Sequence, residues 1–410
     1  MKDLFDQTVS TASATAARLY DQAVDAHLHA WPGALDALHG AIANAPGFAL
    51  PHALHALVLA GRGERAPALQ ALARAQATVA GATDRERSQV ALFTAVIEGR
   101  TLDALDQVVA HADRHPADLL AASTALGAYG LFAFSGRADH DAARLDFVEA
   151  LAPHHPADRP WLLAQRGWAR IEAGRVAEGL AMAQQALAQR PHNGGNAHVI
   201  AHGLFEGDRH ADALAFIESW LPSYPPDGVM WGHLHWHAAL AELALDRDDA
   251  ALARLRGPIA DHLPRGLPFM GLPDLVSLLW RLGLRGRRAL PWALAQRHVD
   301  RHFPQGSNAF GELHLALLAA AQGDAPALDA AAARLPALLG RGLQGAAVVQ
   351  QVVQAMAALT QGDEAAARKA LDAACADSVR LGGSHAQRQV LTLTAAAQPL
   401  SAAWGMARTA

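Results

Sequence analysis

The sequence has 410 residues, of which 51% are hydrophobic and 18% are charged, and its formal net charge is −5. Acidic and basic residues are interspersed without a basic stripe, which argues against nucleic acid as a partner. The one cysteine, Cys375, excludes an internal disulfide and a cysteine-based zinc site. The first residues lack the apolar core of a signal peptide and no apolar run could span a membrane, so a cytoplasmic location is expected.

In chain order, the sequence predicts one helix after another, with almost no strand-like alternation of β-branched residues. Short stretches with glycine or aspartate interrupt the helices, and an Ala-rich amphipathic run follows each, as in a helical hairpin. Successive turn residues are 33 to 40 residues apart, near the ~34-residue period of tetratricopeptide repeats. The predicted turn residues are Gly63, Gly99, Gly136, Gly174, Gly207, Asp246, Gly283, Gly323 and Gly362.

The most regular predicted unit is WLLAQRGWARIEAGRVAEGLAMAQQALAQRPH, which starts at Trp161. Gly167, Gly179 and Pro191 fall at the small and terminal-proline positions of the tetratricopeptide motif. The predicted fold class is all-α: a right-handed superhelical α-solenoid of tetratricopeptide-like hairpins with a concave internal pocket. Because no Pro/Gly/Ser-rich linker interrupts the chain, residues 1–410 are predicted to form a single solenoid domain.

Histidines recur at one position of the predicted repeat. With each turn residue numbered 15, positions 2, 6, 9 and 13 of the first helix are expected to face the groove. The position-6 residues of four consecutive repeats are His198, His237, Asp274 and His314. His202 lies one turn after His198 and His233 one turn before His237, so each pair shares a helix face. Glu172 takes position 13 of an earlier repeat.

At these residues the sequence resembles the tetratricopeptide repeat protein 38 family, from about residue 20 to about residue 330. The stretches that carry the resemblance are GFALPHAL, HPADLLAAS, NAHVIAHGLFE, HLHWHAALAEL, DLVSLLWRLGL and NAFGELHLALL. His52 lies in the first of these stretches. The resemblance implies that these residues match retained positions: Glu86, Glu172, His198, His202, His233, Trp236, His237, Asp274, Phe310 and His314. Further repeats are predicted for 331–390, and a short tail for 391–410.

The sequence departs from that family at three positions. Leu126 and Gly127 stand where the family typically has a His-Asp pair, and Gln89 replaces a further histidine. All three fall on the side of the earlier repeats that is predicted to be concave. We therefore expect the N-terminal part of the pocket to have lost titratable groups, with a changed ligand or reaction as a consequence.

One function that fits this pattern is a small-molecule enzyme or binder with acid–base or metal-assisted chemistry, since neutral histidines exchange protons near pH 7. Its predicted catalytic residues are His198, His202, His233, His237, Asp274 and His314. Its predicted ligand-pocket residues are Glu172, Trp236, Phe310, Ser277 and His52. His235 falls at a packing position and is interpreted as structural.

A second interpretation is a divalent transition-metal site, because imidazole and carboxylate groups suit zinc, iron, nickel or copper. The predicted ligands are His198, His202, His233 and His237, with Asp274 as a further candidate and Glu172 as an acceptor for an outer ring N–H. The third is a non-catalytic tetratricopeptide scaffold that binds a peptide or protein in its groove. A small-molecule partner is the main expectation, and a homodimer is compatible with the sequence.

Overall fold

The computed structural model describes residues 1–397. Over this range the backbone is mostly helical, and β pairing is limited to one isolated bridge between Lys2 and Thr8. The predicted all-α class is therefore confirmed. No helix among these residues is both long enough and apolar enough to cross a bilayer.

The helices follow one another through short turns. Up to residue 206 they are α1 (Ala14–Leu28), α2 (Ala34–Asn44), α3 (Ala49–Gly61), α4 (Arg65–Thr78), α5 (Asp84–Ile97), α6 (Thr101–Arg114), α7 (Leu119–Ser123), α8 (His140–Leu151), α9 (Pro160–Glu172), α10 (Val176–Gln189) and α11 (Gly194–Glu206). From residue 210 they are α12 (His210–Trp220), α13 (Trp231–Ala244), α14 (Asp248–Arg254), α15 (Ala260–His262), α16 (Pro268–Leu284), α17 (Trp292–His302), α18 (Ala309–Gln322), α19 (Ala325–Gly340), α20 (Gly345–Thr360), α21 (Glu364–Ala376) and α22 (His385–Ala396).

The chain divides into two compact units. The first comprises Met1–Leu131, Asp141–Gly203 and Trp220–Trp231, and the second comprises Phe132–His140, Leu204–Ser219 and the described chain from Gly232 onward. Both contain helical hairpins: α1–α2, α3–α4, α5–α6 and α9–α10 in the first, and α16–α17, α18–α19 and α20–α21 in the second. The single domain over 1–410 stays a prediction. Helix α22 occupies the start of the predicted tail, of which residues 398–410 lie outside the described residues.

The α9–α10 hairpin shows what the small residues of the predicted unit do. A Cβ on Gly179 would lie 2.4 Å from the Gly167 carbonyl oxygen, so glycine is needed for these helices to approach so closely. Gly174 turns the chain with a φ of 81°, a left-handed conformation that costs other residues about 1–2 kcal/mol. Pro191 follows the end of α10 at Gln189, as predicted.

Most predicted turn residues adopt the left-handed conformation that ends a helix. Those with positive φ are Gly63, Gly99, Gly136, Gly174, Asp246, Gly323 and Gly362. The turn predicted at Gly283 was wrong, because the apolar face of α16 continues the helix to Leu284 and Gly286 makes the turn, with a φ of 83°. Near Gly207, the residue with positive φ is Asp208, at 55°.

An interior ion-pair network joins the N-terminal segment of the first unit to its helices. The Arg85 guanidinium lies 2.8 Å from an Asp3 carboxylate oxygen and 2.9 Å from one of Asp118. The His111 ring contacts the same Asp118 oxygen at 3.2 Å. Beside it, the Glu86 side chain accepts hydrogen bonds from the backbone N–H groups of Ser10 and Thr83. Glu86 therefore caps α5 and holds the N-terminal segment.

Residues 132–140 belong to the second unit although they are early in the chain. The His140 ring bonds the Val379 carbonyl at 2.9 Å, and Arg380 donates to the Gly136 carbonyl at 3.1 Å. A Cβ on Gly382 would lie 2.4 Å from the Ala133 carbonyl oxygen. This segment is therefore packed closely against the loop that precedes α22.

Candidate functional site

In the first unit, the two histidines of α11 are packed on one tryptophan. Trp168, on α9, stacks on His198 with ring centroids 5.5 Å apart and meets His202 edge to face at 4.6 Å. The two imidazoles lie 4.5 Å apart and are nearly perpendicular. The i, i+4 spacing therefore does bring both rings to one face, as the sequence predicted.

A carboxylate lies next to this pair. The Glu172 Oε1 atom is 4.0 Å from the His202 Nδ1 atom, and both side chains are almost wholly buried. This distance is within the range of an ion pair but too long for a direct hydrogen bond. Glu172, at the C-terminal end of α9, therefore places a buried carboxylate beside the His202 ring.

In the second unit, α13 carries a matching pair. His233 stacks almost parallel on Trp236, with centroids 5.2 Å apart and an interplanar angle of 10°. His233 and His237 lie 4.8 Å apart and are nearly perpendicular. All three side chains are buried. His235, by contrast, contacts a guanidinium: its Nδ1 atom lies 3.3 Å from an Arg254 nitrogen.

The carboxylate partner of this second pair is Asp274 on α16. Both of its oxygens lie 2.9 Å from the Nδ1 atom of His233. Burial raises the pKa of Asp274, and the neighbouring His233 opposes that rise. With the proton on Nδ1, the ring donates to the carboxylate and presents the lone pair of Nε2. Asp274 therefore fixes the orientation of His233 and, as a carboxylate, favours the tautomer with the proton on Nδ1.

His314 and Phe310 lie on α18, and both are fully buried. The His314 Nδ1 atom donates to the Phe310 carbonyl at 2.8 Å, a bond within its own helix. The Phe310 ring contacts those of Phe134, Phe269 and His314. Phe310 is thus part of an aromatic cluster in the core of the second unit.

The burial of His314 predicts a pH dependence of stability. Burial, with repulsion from Arg281, lowers the pKa of His314 from its ordinary value of 6.5 to about 4. Between these two values the unfolded chain gains a proton that the folded chain does not, so the free energy of unfolding falls as pH falls. In urea titrations, His314→Asn should lose less stability than the wild type between pH 7 and pH 5. An unchanged pH dependence would contradict this assignment, and exposed His154→Asn is the control.

Two residues that the sequence did not single out complete these groups. Trp168 is the ring on which the first histidine pair is packed. Arg281 follows Asp274 by seven residues on α16, and its guanidinium carbon lies 6.0 Å from the Trp236 ring centroid. Trp168 could have been found from its i, i+4 spacing to Glu172, and Arg281 from its i, i+7 spacing to Asp274. Ser277, a predicted ligand-pocket residue, is fully buried on α16, and among residues 1–397 its hydroxyl has no hydrogen-bond partner.

The remaining candidates of the first unit have local partners. The buried His52 ring on α3 bonds the Pro46 carbonyl at 2.9 Å and so fastens the loop between α2 and α3. Of the three positions predicted to depart from the resembled family, Gln89 and Leu126 are buried, and Gly127 has a φ of 81°. Glycine adopts this left-handed conformation at no steric cost, whereas a side chain at residue 127 would be somewhat strained.

No protein-family model matches the chain, and the resemblance to tetratricopeptide repeat protein 38 stays a prediction. The chain is similar to the Rap protein complexed with competence and sporulation factor: TM-score 0.41, 12% identity, 81% of this chain and 98% of that one. The structure of Naa15/Naa10 bound to HypK-THB gives a TM-score of 0.26 and 12% identity, over 88% of this chain and 63% of that one. The P58(IPK) TPR domain gives a TM-score of 0.24 and 13% identity, over 86% of this chain and 90% of that one. All three TM-scores are below 0.5. The assignment of a helical-repeat fold therefore rests on the helical hairpins of this chain itself.

Proposed function

We propose that this protein is a non-catalytic tetratricopeptide-like scaffold that binds a peptide segment of a protein partner. Successive helical hairpins present extended binding surfaces in repeat proteins. The observation that carries the proposal is a groove of about 270 Å³ in the first unit, whose largest lining side chain is the partly exposed Trp31.

The groove lies at the turn between α1 and α2. The Trp31 indole is held from one side by His192, which stacks on it at 4.7 Å, and by the edge of Tyr224 at 5.3 Å. Val58 adds apolar wall, and Asp227 adds an exposed negative charge. A tryptophan that is fixed in position before binding loses little side-chain entropy on contact, which suits it as an anchor for an apolar side chain of a peptide.

Trp31→Ala is expected to weaken binding of a peptide at least about tenfold, because tryptophan anchors commonly contribute about 2 kcal/mol or more. The peptide would be selected from a displayed random library on the full chain, and its dissociation constant measured by calorimetry. Val109→Ala, at an exposed apolar residue of α6 outside the groove, is the matched control and should leave the constant unchanged.

Trp31→Phe tests whether the anchor or merely the fold has been lost, because it keeps an aromatic ring between His192 and the groove. We expect this variant to retain most of the affinity and the wild-type melting temperature. A library that yields no binding peptide, or peptides that ignore Trp31→Ala, would contradict the scaffold proposal.

A second candidate function is metal binding, in which the histidines are the ligands. The observation in its favour is that each unit places a buried carboxylate by one ring of an i, i+4 pair, Glu172 by His202 and Asp274 by His233. Carboxylates commonly fix the tautomer of metal-bound histidines in this way. Within each pair, a nitrogen of one ring lies within 4.8 Å of a nitrogen of the other. Asp274 then holds the outer nitrogen of His233 and does not itself touch the ion.

Elemental analysis of protein purified without a His-tag tests this candidate. The predicted ligands stay His198, His202, His233 and His237. Bound zinc, nickel, copper or iron is expected, and His233→Ala should lower the metal content because it removes a ligand. His385→Ala is the control, since that ring is exposed and bonded to Glu206. Less than about a tenth of an equivalent of every transition metal would remove this candidate.

A further inference from the structure

A second cavity lies wholly within the second unit and contains none of the predicted histidine ligands. Its volume is about 590 Å³, in the range of pockets that hold small ligands. Leu240 and Leu243 of α13, Leu284 of α16 and Leu393 of α22 supply apolar wall. Arg281 is also among the lining residues.

Arg281 is a buried cation with no carboxylate partner among residues 1–397. One guanidinium nitrogen donates to the Ala386 carbonyl at 2.6 Å and the other to the Ser277 carbonyl at 3.4 Å. Only 4% of the residue is exposed, and burial lowers its pKa to about 9. The group therefore stays protonated at neutral pH, and within the described part of the chain its charge is compensated by carbonyl dipoles and the Trp236 ring.

The neighbouring Arg285 shows the contrast on the same helix. It also lines the cavity, but its charge is matched by Asp246 at 2.5 Å and Asp248 at 2.7 Å. Glu206, another lining residue, is bonded to His385 at 2.7 Å, and the His385 side chain is 65% exposed. The solvent end of the cavity therefore carries paired charges, whereas no carboxylate of residues 1–397 pairs with the buried Arg281.

We propose that this cavity binds a small amphipathic carboxylate, with the carboxylate paired to Arg281 and an alkyl chain against the leucines of α13, α16 and α22. A buried charge is costly unless it is paired, so an anionic ligand stabilises the folded state by supplying the missing partner. Guanidinium and carboxylate also match in a two-bond geometry. The site is separate from the Trp31 groove and goes beyond the proposed scaffold function.

Calorimetry on the full chain with dodecanoate, dodecyltrimethylammonium and acetate tests the proposal. Dodecanoate should bind, whereas the cationic analogue, which lacks the carboxylate, and acetate, which lacks the chain, should bind at least about tenfold more weakly. Arg281→Met should weaken dodecanoate binding by about tenfold or more, and Arg285→Ala should change it less than about twofold, because Arg285 is already paired.

Two further measurements distinguish a folding defect of a variant from the loss of a contact with dodecanoate. Arg281→Met should melt no earlier than the wild type, because it removes an uncompensated buried charge. Leu393→Trp, at a partly exposed wall residue, should block dodecanoate by filling the cavity while Arg281 is intact. Equal affinity for the two dodecyl compounds, or dodecanoate binding that survives both substitutions, would overturn the proposal.

Discussion

Replacing Arg85 with alanine is expected to lower the free energy of unfolding by about 3–5 kcal/mol, the cost of removing one member of a buried ion pair. The guanidinium lies between Asp3 and Asp118, and all three side chains are at most 6% exposed. Without it, two carboxylates would stay buried with His111 as the only remaining basic contact in the network. Urea unfolding followed by circular dichroism measures the loss.

Arg87→Ala is the matched control for Arg85→Ala. Arg87 is on the same helix and pairs with Asp84, but those side chains are 47% and 83% exposed. Its removal should cost at most about 0.5 kcal/mol, since exposed pairs contribute little. Adding Asp3→Asn to Arg85→Ala should recover part of the loss, because one of the unpaired carboxylates is removed. Equal losses for Arg85→Ala and Arg87→Ala would show that the interior network contributes no special stability.

Trp280→Ala is expected to cost about 3–5 kcal/mol, the usual effect of truncating a fully buried tryptophan. Only 1% of Trp280 is exposed, and its indole N–H donates to the Thr394 hydroxyl at 2.8 Å. Thr394 in turn donates to the Val390 carbonyl. One side chain therefore fills the core at α16 and fastens α22, and thermal or urea unfolding of the variant reports both roles.

Trp280→Phe separates the packing of Trp280 from its hydrogen bond. Phenylalanine keeps most of the apolar contact but leaves the Thr394 hydroxyl without its donor, so a loss of about 1–2 kcal/mol is expected. A loss as large as that of Trp280→Ala would mean that the hydrogen bond, and not the buried area, dominates at this position.

The hairpins were predictable because glycine, aspartate and proline act locally. Gly63, Gly174 and Gly323 have the positive φ that a turn requires, and the sequence reveals this without knowledge of distant contacts. The repeat before Gly136 was harder to predict, because its first helix, α7, is only five residues long. A Cβ on Gly130 would lie 2.4 Å from the carbonyl oxygens of Ala125 and Leu126, so the chain is tightly folded here and cannot continue as a helix.

The candidate site was predictable in composition but not in its contacts. Repeat phase singled out Asp274 as equivalent to His237, yet the ring that Asp274 meets is His233. The reason is the length of α16: its turn is at Gly286, three residues later than predicted, which changes the phase of that helix. The i, i+7 spacing from Asp274 could have identified Arg281, but not that it is buried with no carboxylate partner among residues 1–397, because this depends on which helices surround it.

Residues 132–140 have a consequence for how the chain folds. Repeat proteins usually fold by adding each hairpin to its neighbour, so contacts are local in sequence. Here the bond from His140 to Val379 spans 239 residues. Contacts of such high sequence separation require closure of a long loop, which slows folding. On the ribosome, this segment therefore has to wait until the residues around Val379 have been synthesised. We expect the second unit to complete its folding only after the residues around Val379 have left the ribosome.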